Sequence, residues 1–269
     1  GDSNDRLFGE GGNDMLRGDS GDDHLDGGAG RDHLEGGSGD DRLIGGTGID
    51  QLFGGSGADT LEGGSGNDRL EGGGDNDRLY GGDGRDVLVG GSGVDHLEGG
   101  EGDDTYLVTS GDDLRNDTIR DTGGKKDLIK NTSDHDLRFS RFDGNNGIDL
   151  IDAGDKRVVG DDENNHLNFS GARFTDKDQL ILSGRGNDHV IGTAGSEIVK
   201  GYTGNDYIVG GGGNDQLFGE QDADQLFGGV GNDQLSGGDS NDRLFGEGGN
   251  DMLRGDSGDD HLDGGAGRD

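Results

Sequence analysis

The chain has no cysteine, no proline and no tryptophan in 269 residues, and only 23 lysines and arginines. Without cysteine there is no disulfide framework to staple a fold and no thiol nucleophile. The shortage of cations leaves a formal net charge of −36, which argues against nucleic acid or an anionic membrane surface as a partner. Hydrophobic residues make up 25%. No apolar run approaches the roughly 18 residues of a membrane span, and no signal-peptide pattern opens the chain. Composition alone therefore describes a disordered acidic tail, because little apolar surface can be buried against a large self-repulsion.

Glycine is what the chain has in excess, 65 residues, and it is not scattered. Written in nines, the first part reads "GEGGNDMLR", "GDSGDDHLD", "GGAGRDHLE", "GGSGDDRLI" and onward without a slip to "GGEGDDTYL". The sixth position is aspartate at Asp5, Asp14, Asp23, Asp32, Asp41, Asp50, Asp59, Asp68, Asp77, Asp86, Asp95 and Asp104. A second array opens at "SGRGNDHVI" and carries Asp188, Asp206, Asp215, Asp224, Asp233, Asp242, Asp251, Asp260 and Asp269, with Glu197 where one more aspartate is due. The eighth position is apolar, from Leu7 through Leu97 to Tyr106. A fixed period overrules the compositional reading.

The period dictates a unit. Three residues such as "RLE" or "VLV" form a short strand with the eighth residue inward. Six residues such as "GGSGND" turn the chain, their glycines allowing positive φ. A turn after every strand gives an all-β parallel β-roll, or β-solenoid, with two nonapeptides per revolution. Loops n and n+2 then stack about 4.8 Å apart. Aspartates stacked that closely repel, and a Ca²⁺ between them removes the conflict, since two Ca–O bonds of about 2.4 Å span the same gap. Glycine carbonyls can complete the shell. The twenty-one aspartates named above are the candidate metal ligands, and calcium is the expected cofactor.

These residues resemble the repeats-in-toxin (RTX) family of secreted calcium-binding β-rolls, whose motif is GGxGxDxUx with U a large apolar residue. The resemblance covers residues 1–107 and 183–269. It implies secretion to the extracellular space or cell surface, passage through a type I secretion machinery, and folding on meeting calcium outside the cell. Ser3, Asp75, Asp222 and Ser240 replace a loop glycine, a place where short polar residues tolerate left-handed backbone. Glu197 is longer than aspartate, which puts its own site in doubt. Twelve loops give ten stacked pairs and ten loops give eight, so about 18 ions would offset a deficit of this size.

Three pieces are expected: a first array over 1–107, a degenerate solenoid or small β insert over 108–182, and a second array over 183–269. In the middle piece Ile119, Leu128 and Leu137 keep the nine-residue spacing, and Leu150, Val159 and Leu167 nearly keep it. They are read as the inward residues of the same solenoid, continuing with lapsed calcium loops and wider turns.

Residues 1–32 recur identically as 238–269. This suggests a fragment of a longer protein with a 237-residue tandem unit, opening here without methionine and stopping mid-motif at Asp269; an engineered duplication would give the same identity.

No catalytic constellation stands out, and the chain is not expected to be an enzyme. Five of the seven histidines, His24, His33, His96, His189 and His261, fall at the outward seventh position, a solvated face. No GxSxG elbow occurs, and calcium accounts for the paired carboxylates. Ile191, Val209, Phe227 and Phe245 stand 18 residues apart at the ninth position, an apolar ladder suited to cover by the central segment or to self-association of rods. Two functions follow: a structural segment of a long secreted adhesin or extracellular filament, or the folding and secretion module of an exported toxin or hydrolase.

Overall fold

The eighth-position leucine decides the architecture, because it is the one large apolar side chain in each nonapeptide that must leave water. In the computed structural model, which describes residues 1–109 and 114–269, Leu25, Leu34, Leu43, Leu52, Leu61, Leu70, Leu79 and Leu88 are completely buried. Val190, Val199, Ile208, Leu217, Leu226 and Leu244 do the same in the second array. The described residues form thirty strands and no helix. Every strand pairs in parallel; the strands make four sheets, and within each array successive strands alternate between two of them, while those from Leu128–Asn131 to His189–Ile191 rotate among three. Leu25 lies opposite Leu43 and Leu34 opposite Leu52, so one revolution takes 18 residues, two nonapeptides. The fold is a parallel β-roll.

The strands are longer than the expected three residues. Gln51–Ser56 and Thr60–Gly66 run on through the glycine pair, bending at Gly54 and Gly63 and resuming pairing at Gly55 and Gly64. Glycine makes that bend feasible at two kinds of place. At Gly54 a Cβ would meet both the Asp59 carboxylate and the Gly72 carbonyl. At Gly66, with φ of +137°, it would overlap the Gly48 carbonyl oxygen of the loop stacked beneath. Gly66→Ala should therefore cost roughly 3 kcal/mol or more. Gly74→Ala, where φ is not positive and the nearest atom is Ser92 Oγ at 3.5 Å, should change the melting temperature in calcium by little. Equal effects of the two substitutions would show that loop stacking does not govern glycine use.

Asp75, Asp222 and Ser240 adopt φ of 75°, 73° and 87°, as expected for short polar residues in a loop glycine's place. The same left-handed backbone is imposed on Glu10, Asp19, Tyr202, Glu220, Glu247 and Asp256, which stand at the loop's second position.

Two packing units result: residues 1–134 with 146–149, and residues 135–145 with 150–269. The 108–182 stretch contributes strands to both. Its turns are wider: Tyr106 pairs with Ile129 and Val158 with Ile181, 23 residues on rather than 18. In the second unit the extra width is filled by Phe139, Phe142, Phe169 and Phe174, whose ring centroids lie 5.0–6.2 Å apart. Spacing by nines misassigned part of this stretch. Leu137 and Leu167 are buried and Ile119 lies opposite Leu97. Leu128, Leu150 and Val159 are instead only half-buried, and their neighbours Ile129, Ile151 and Val158 take the inward place. Side chains alternate along a strand, so a one-residue slip exchanges the faces.

The ladder residues stack in register, Ile191 on Val209, Val209 on Phe227 and Phe227 on Phe245, all half-buried. The two phenylalanine rings lie 4.9 Å apart and 9° from parallel, and Tyr207 joins at 5.1 Å.

Candidate metal centres

Each sixth-position aspartate closes a loop immediately before its strand, so the stacking of strands brings the carboxyls into columns. Seventeen of the twenty-one are buried. Asp5, Asp14 and Asp260 are half-buried and Asp269 is exposed. Burying so many carboxylates demands partners, and only half of the oxygens have one. The Oδ1 of Asp59 accepts the backbone N–H of Asp41 at 2.8 Å, and the N–H of Asp59 donates to Asp77 Oδ1 at 2.8 Å. The same N–H ladder joins Asp188, Asp206, Asp224 and Asp242 in the second array. Stacked aspartates thus meet through one oxygen and a backbone donor, not through carboxylates facing each other.

The other oxygen is left over. In eighteen of the twenty-one aspartates, Asp14 and every buried one, Oδ2 is buried without a hydrogen-bond partner. It does not point into apolar space. Asp59 Oδ2 and the Gly72 carbonyl both border the space beside the Gly54 α-carbon, and Asp224 Oδ2 and the Gly237 carbonyl border that beside Gly219. Oxygens converge there with no donor between them. A hard cation that takes six to eight oxygen ligands is the species such a cradle suits.

Two loops show what happens when the acid is altered. Asn165 stands in the aspartate's place below Asp188, its backbone N–H donating to Asp188 Oδ1 at 2.8 Å. Its Nδ2 donates to the carbonyls of Asp161, Glu163 and Ser183 at 2.8–3.2 Å and reaches Asp188 Oδ1 at 3.0 Å. An amide N–H₂ there satisfies carbonyl oxygens that an orphaned Oδ2 cannot. At Glu197 the longer side chain folds back: Oε2 accepts the Thr193 N–H at 3.0 Å and Oε1 the Thr193 hydroxyl at 2.5 Å. That carboxylate closes on its own loop.

The electrostatics match. Burial pushes the Asp59 carboxyl up to about 7, opposed by the Asp41 N–H and reinforced by the Asp41 charge. Burial likewise raises Asp77 and Asp224 to about 8, and Asp86, Asp206 and Asp215 to about 7. In the unfolded chain these groups titrate near 3.8. The metal-free fold therefore binds more protons than the unfolded chain between about pH 4 and 8, and its stability falls as pH rises through that window. Calcium needs the ionised carboxylate, so its affinity rises over the same window and its binding releases protons. In calcium-stripped buffer the β signal in circular dichroism should be strongest near pH 4 and lost by about pH 8. Metal-free stability that increased with pH would mean the buried carboxyls are already neutralised by something other than protons.

Sequence reasoning missed one cluster. Asp104, Asp121 and Asp127, all buried, bring one carboxylate oxygen each within 4.8 Å of one another. Asp104 was among the candidate ligands; Asp121 and Asp127 lie in the stretch read as lapsed. The signal that finds Asp127 is the acid-x-apolar triplet Asp127-Leu128-Ile129, the same triplet that ends each nonapeptide.

A roll whose every turn stacks glycine-rich loops over buried, half-satisfied aspartates defines a calcium-binding repeat architecture. The family model described as the RTX calcium-binding nonapeptide repeat, in four copies, matches overlapping windows over residues 1–114 and 175–269. The chain belongs to this family and is an RTX calcium-binding β-roll module. No curated protein matches it. Proteins with these repeats are typically secreted, and among the described residues no helix is long and apolar enough to cross a membrane.

Proposed function

We propose that this chain is a calcium-stiffened segment of a long secreted tandem-repeat protein, an adhesin or extracellular filament, exported through a type I secretion machinery and folded by calcium outside the cell. The ligands are the Oδ2 atoms of the twenty-one aspartates with loop carbonyls, in arrays over 1–107 and 183–269; residues 108–182 form the joint. The observation that carries the tandem reading is the identity of residues 1–32 and 238–269. Both copies take the same register: Arg6 pairs with His24 and Leu7 with Leu25, as Arg243 pairs with His261 and Leu244 with Leu262. With a 237-residue period the second array would run into the first as about 18 unbroken repeats, nine turns and about 43 Å at the strand spacing. The in-register ladder from Ile191 to Phe245 supports lateral self-association of such rods.

The test is to join two 237-residue units head to tail and measure small-angle X-ray scattering with calcium and with chelator. A longest dimension that grows with the second unit only in calcium supports the spacer. Two units that fold side by side, or a reading frame that joins one unit to a catalytic domain, would favour a folding and secretion module instead.

A further inference from the structure

Three departures from the repeat meet beside Gly99. Thr118–Arg120 lies in register with His96-Leu97-Glu98, so the next residue, Asp121, stands where an ordinary loop opens on glycine. The loop that follows, "DTGGKKD", is one residue longer than "GGEGDD". The core position of that repeat carries Tyr106 instead of leucine, fully buried. Its hydroxyl accepts the Gly99 N–H at 2.7 Å and lies 2.7 Å from Asp121 Oδ2 and 3.0 Å from the Arg120 carbonyl. Repeats that keep glycine and leucine cannot build this arrangement.

The carboxylates around it are unevenly satisfied. Asp121 Oδ1 accepts the Gly123 N–H at 3.1 Å. Asp104 and Asp127 use Oδ1 on the N–H groups of Asp86 and Asp104, at 2.7 and 2.9 Å. Both side chains are completely buried, and both leave Oδ2 without a partner. Asp104 Oδ2 and Asp121 Oδ2 each lie 2.5 Å from the point a Cβ on Gly99 would occupy, so they aim into one space. Three buried carboxylates this close repel strongly unless a cation joins them.

The geometry points to a three-carboxylate calcium site formed by Asp104, Asp121 and Asp127 and oriented by Tyr106, in which the last nonapeptide loop of the first array shares its aspartate with two acids from outside the repeats. All its donors are oxygens, which suits a hard divalent cation rather than zinc or copper. A third carboxylate raises affinity over loops that offer fewer, so this site fills first and pins the end of the first array. It rests on the calcium reading of the fold and shares Asp104 with the repeat ligands, while Asp121 and Asp127 lie outside them.

Terbium replaces calcium and emits when a nearby tyrosine is excited, which makes Tyr106 a reporter. With the whole 269-residue chain, substoichiometric terbium should give strong tyrosine-sensitised emission. Tyr106→Phe, which keeps all three acids, should remove most of it while the calcium-loaded circular dichroism stays unchanged. Tyr80, Tyr202 and Tyr207 supply a background common to both proteins. Asp121→Gly restores the residue of the ordinary repeat, so it should fold in calcium, bind one ion fewer and lose the first-filling step, with occupancy at that step about tenfold weaker or more. Unchanged early emission in Tyr106→Phe, or an unchanged ion count in Asp121→Gly, would overturn the site. A wild-type chain that bound neither terbium nor calcium would instead overturn the calcium reading of the whole fold.

Discussion

In chelator at about pH 8 the chain is expected to lose its β signal and expand, and to recover both cooperatively in millimolar calcium. The cause is specific. Eighteen aligned aspartates bury an oxygen that has no hydrogen-bond partner, on a chain of net charge −36. The core that must hold this together is one leucine-sized side chain per nonapeptide, each contributing about 1.5–3 kcal/mol. Metal-free, that core faces both chain entropy and mutual repulsion. Each ion held at about a hundred times its Kd adds about 2.7 kcal/mol, so ten such sites exceed the roughly 5–15 kcal/mol that stabilises an ordinary domain. Circular dichroism and hydrodynamic radius during a calcium titration check this. The same β signal in chelator and in calcium would contradict it.

The second large effect concerns Asp59, which sits mid-array and is fully buried. Asp59→Ala should lower calcium stoichiometry by up to two, since its loop stacks on those of Asp41 and Asp77. It should also orphan the buried Asp41 N–H, at about 1–3 kcal/mol, and split the single melting transition of the roll. Asp59→Asn separates the two roles. Its amide oxygen can keep the Asp41 N–H, and its N–H₂ can face the Gly72 carbonyl as Asn165 Nδ2 faces the Ser183 carbonyl. That variant should lose the same ions yet be more stable than wild type in chelator at neutral pH. Glu62→Ala, on an outward strand position, should leave the count alone. An unchanged count in Asp59→Ala would show that backbone carbonyls, not carboxylates, dominate the sites.

The period made the roll legible because each nonapeptide repeats one strand, one corner and one buried side chain, so Leu25 to Leu97 and Asp23 to Asp104 could be placed without coordinates. Spacing could not say which carboxylate oxygen does what. The division of labour between an Oδ1 that accepts an N–H and an Oδ2 left open depends on how stacked loops offset, a tertiary matter. Where loop length changes, counting by nines fails: Leu128, Leu150 and Val159 were assigned inward and the acid-x-apolar triplets Asp127-Leu128-Ile129 and Asp149-Leu150-Ile151 show why they are not. Strand register follows the acid that starts the strand, not the distance from the previous one. Asp121 escaped notice because a repeat motif has glycine at that position, and an acid there looks like decay. Tyr106 was read as one more apolar core residue, and only the fold brings its hydroxyl to a carboxylate.

The central claim is that calcium is held by the buried Oδ2 atoms. Crystals of the calcium-loaded chain, measured where calcium scatters anomalously, test it directly. The account predicts a column of anomalous peaks along each array, about 18 in all, each about 2.4 Å from an aspartate Oδ2 and from loop carbonyls, with none at Asn165. Peaks confined to exposed acids such as Asp40 and Asp83, or an ordered roll with no peaks beside Asp59 and Asp224, would contradict it.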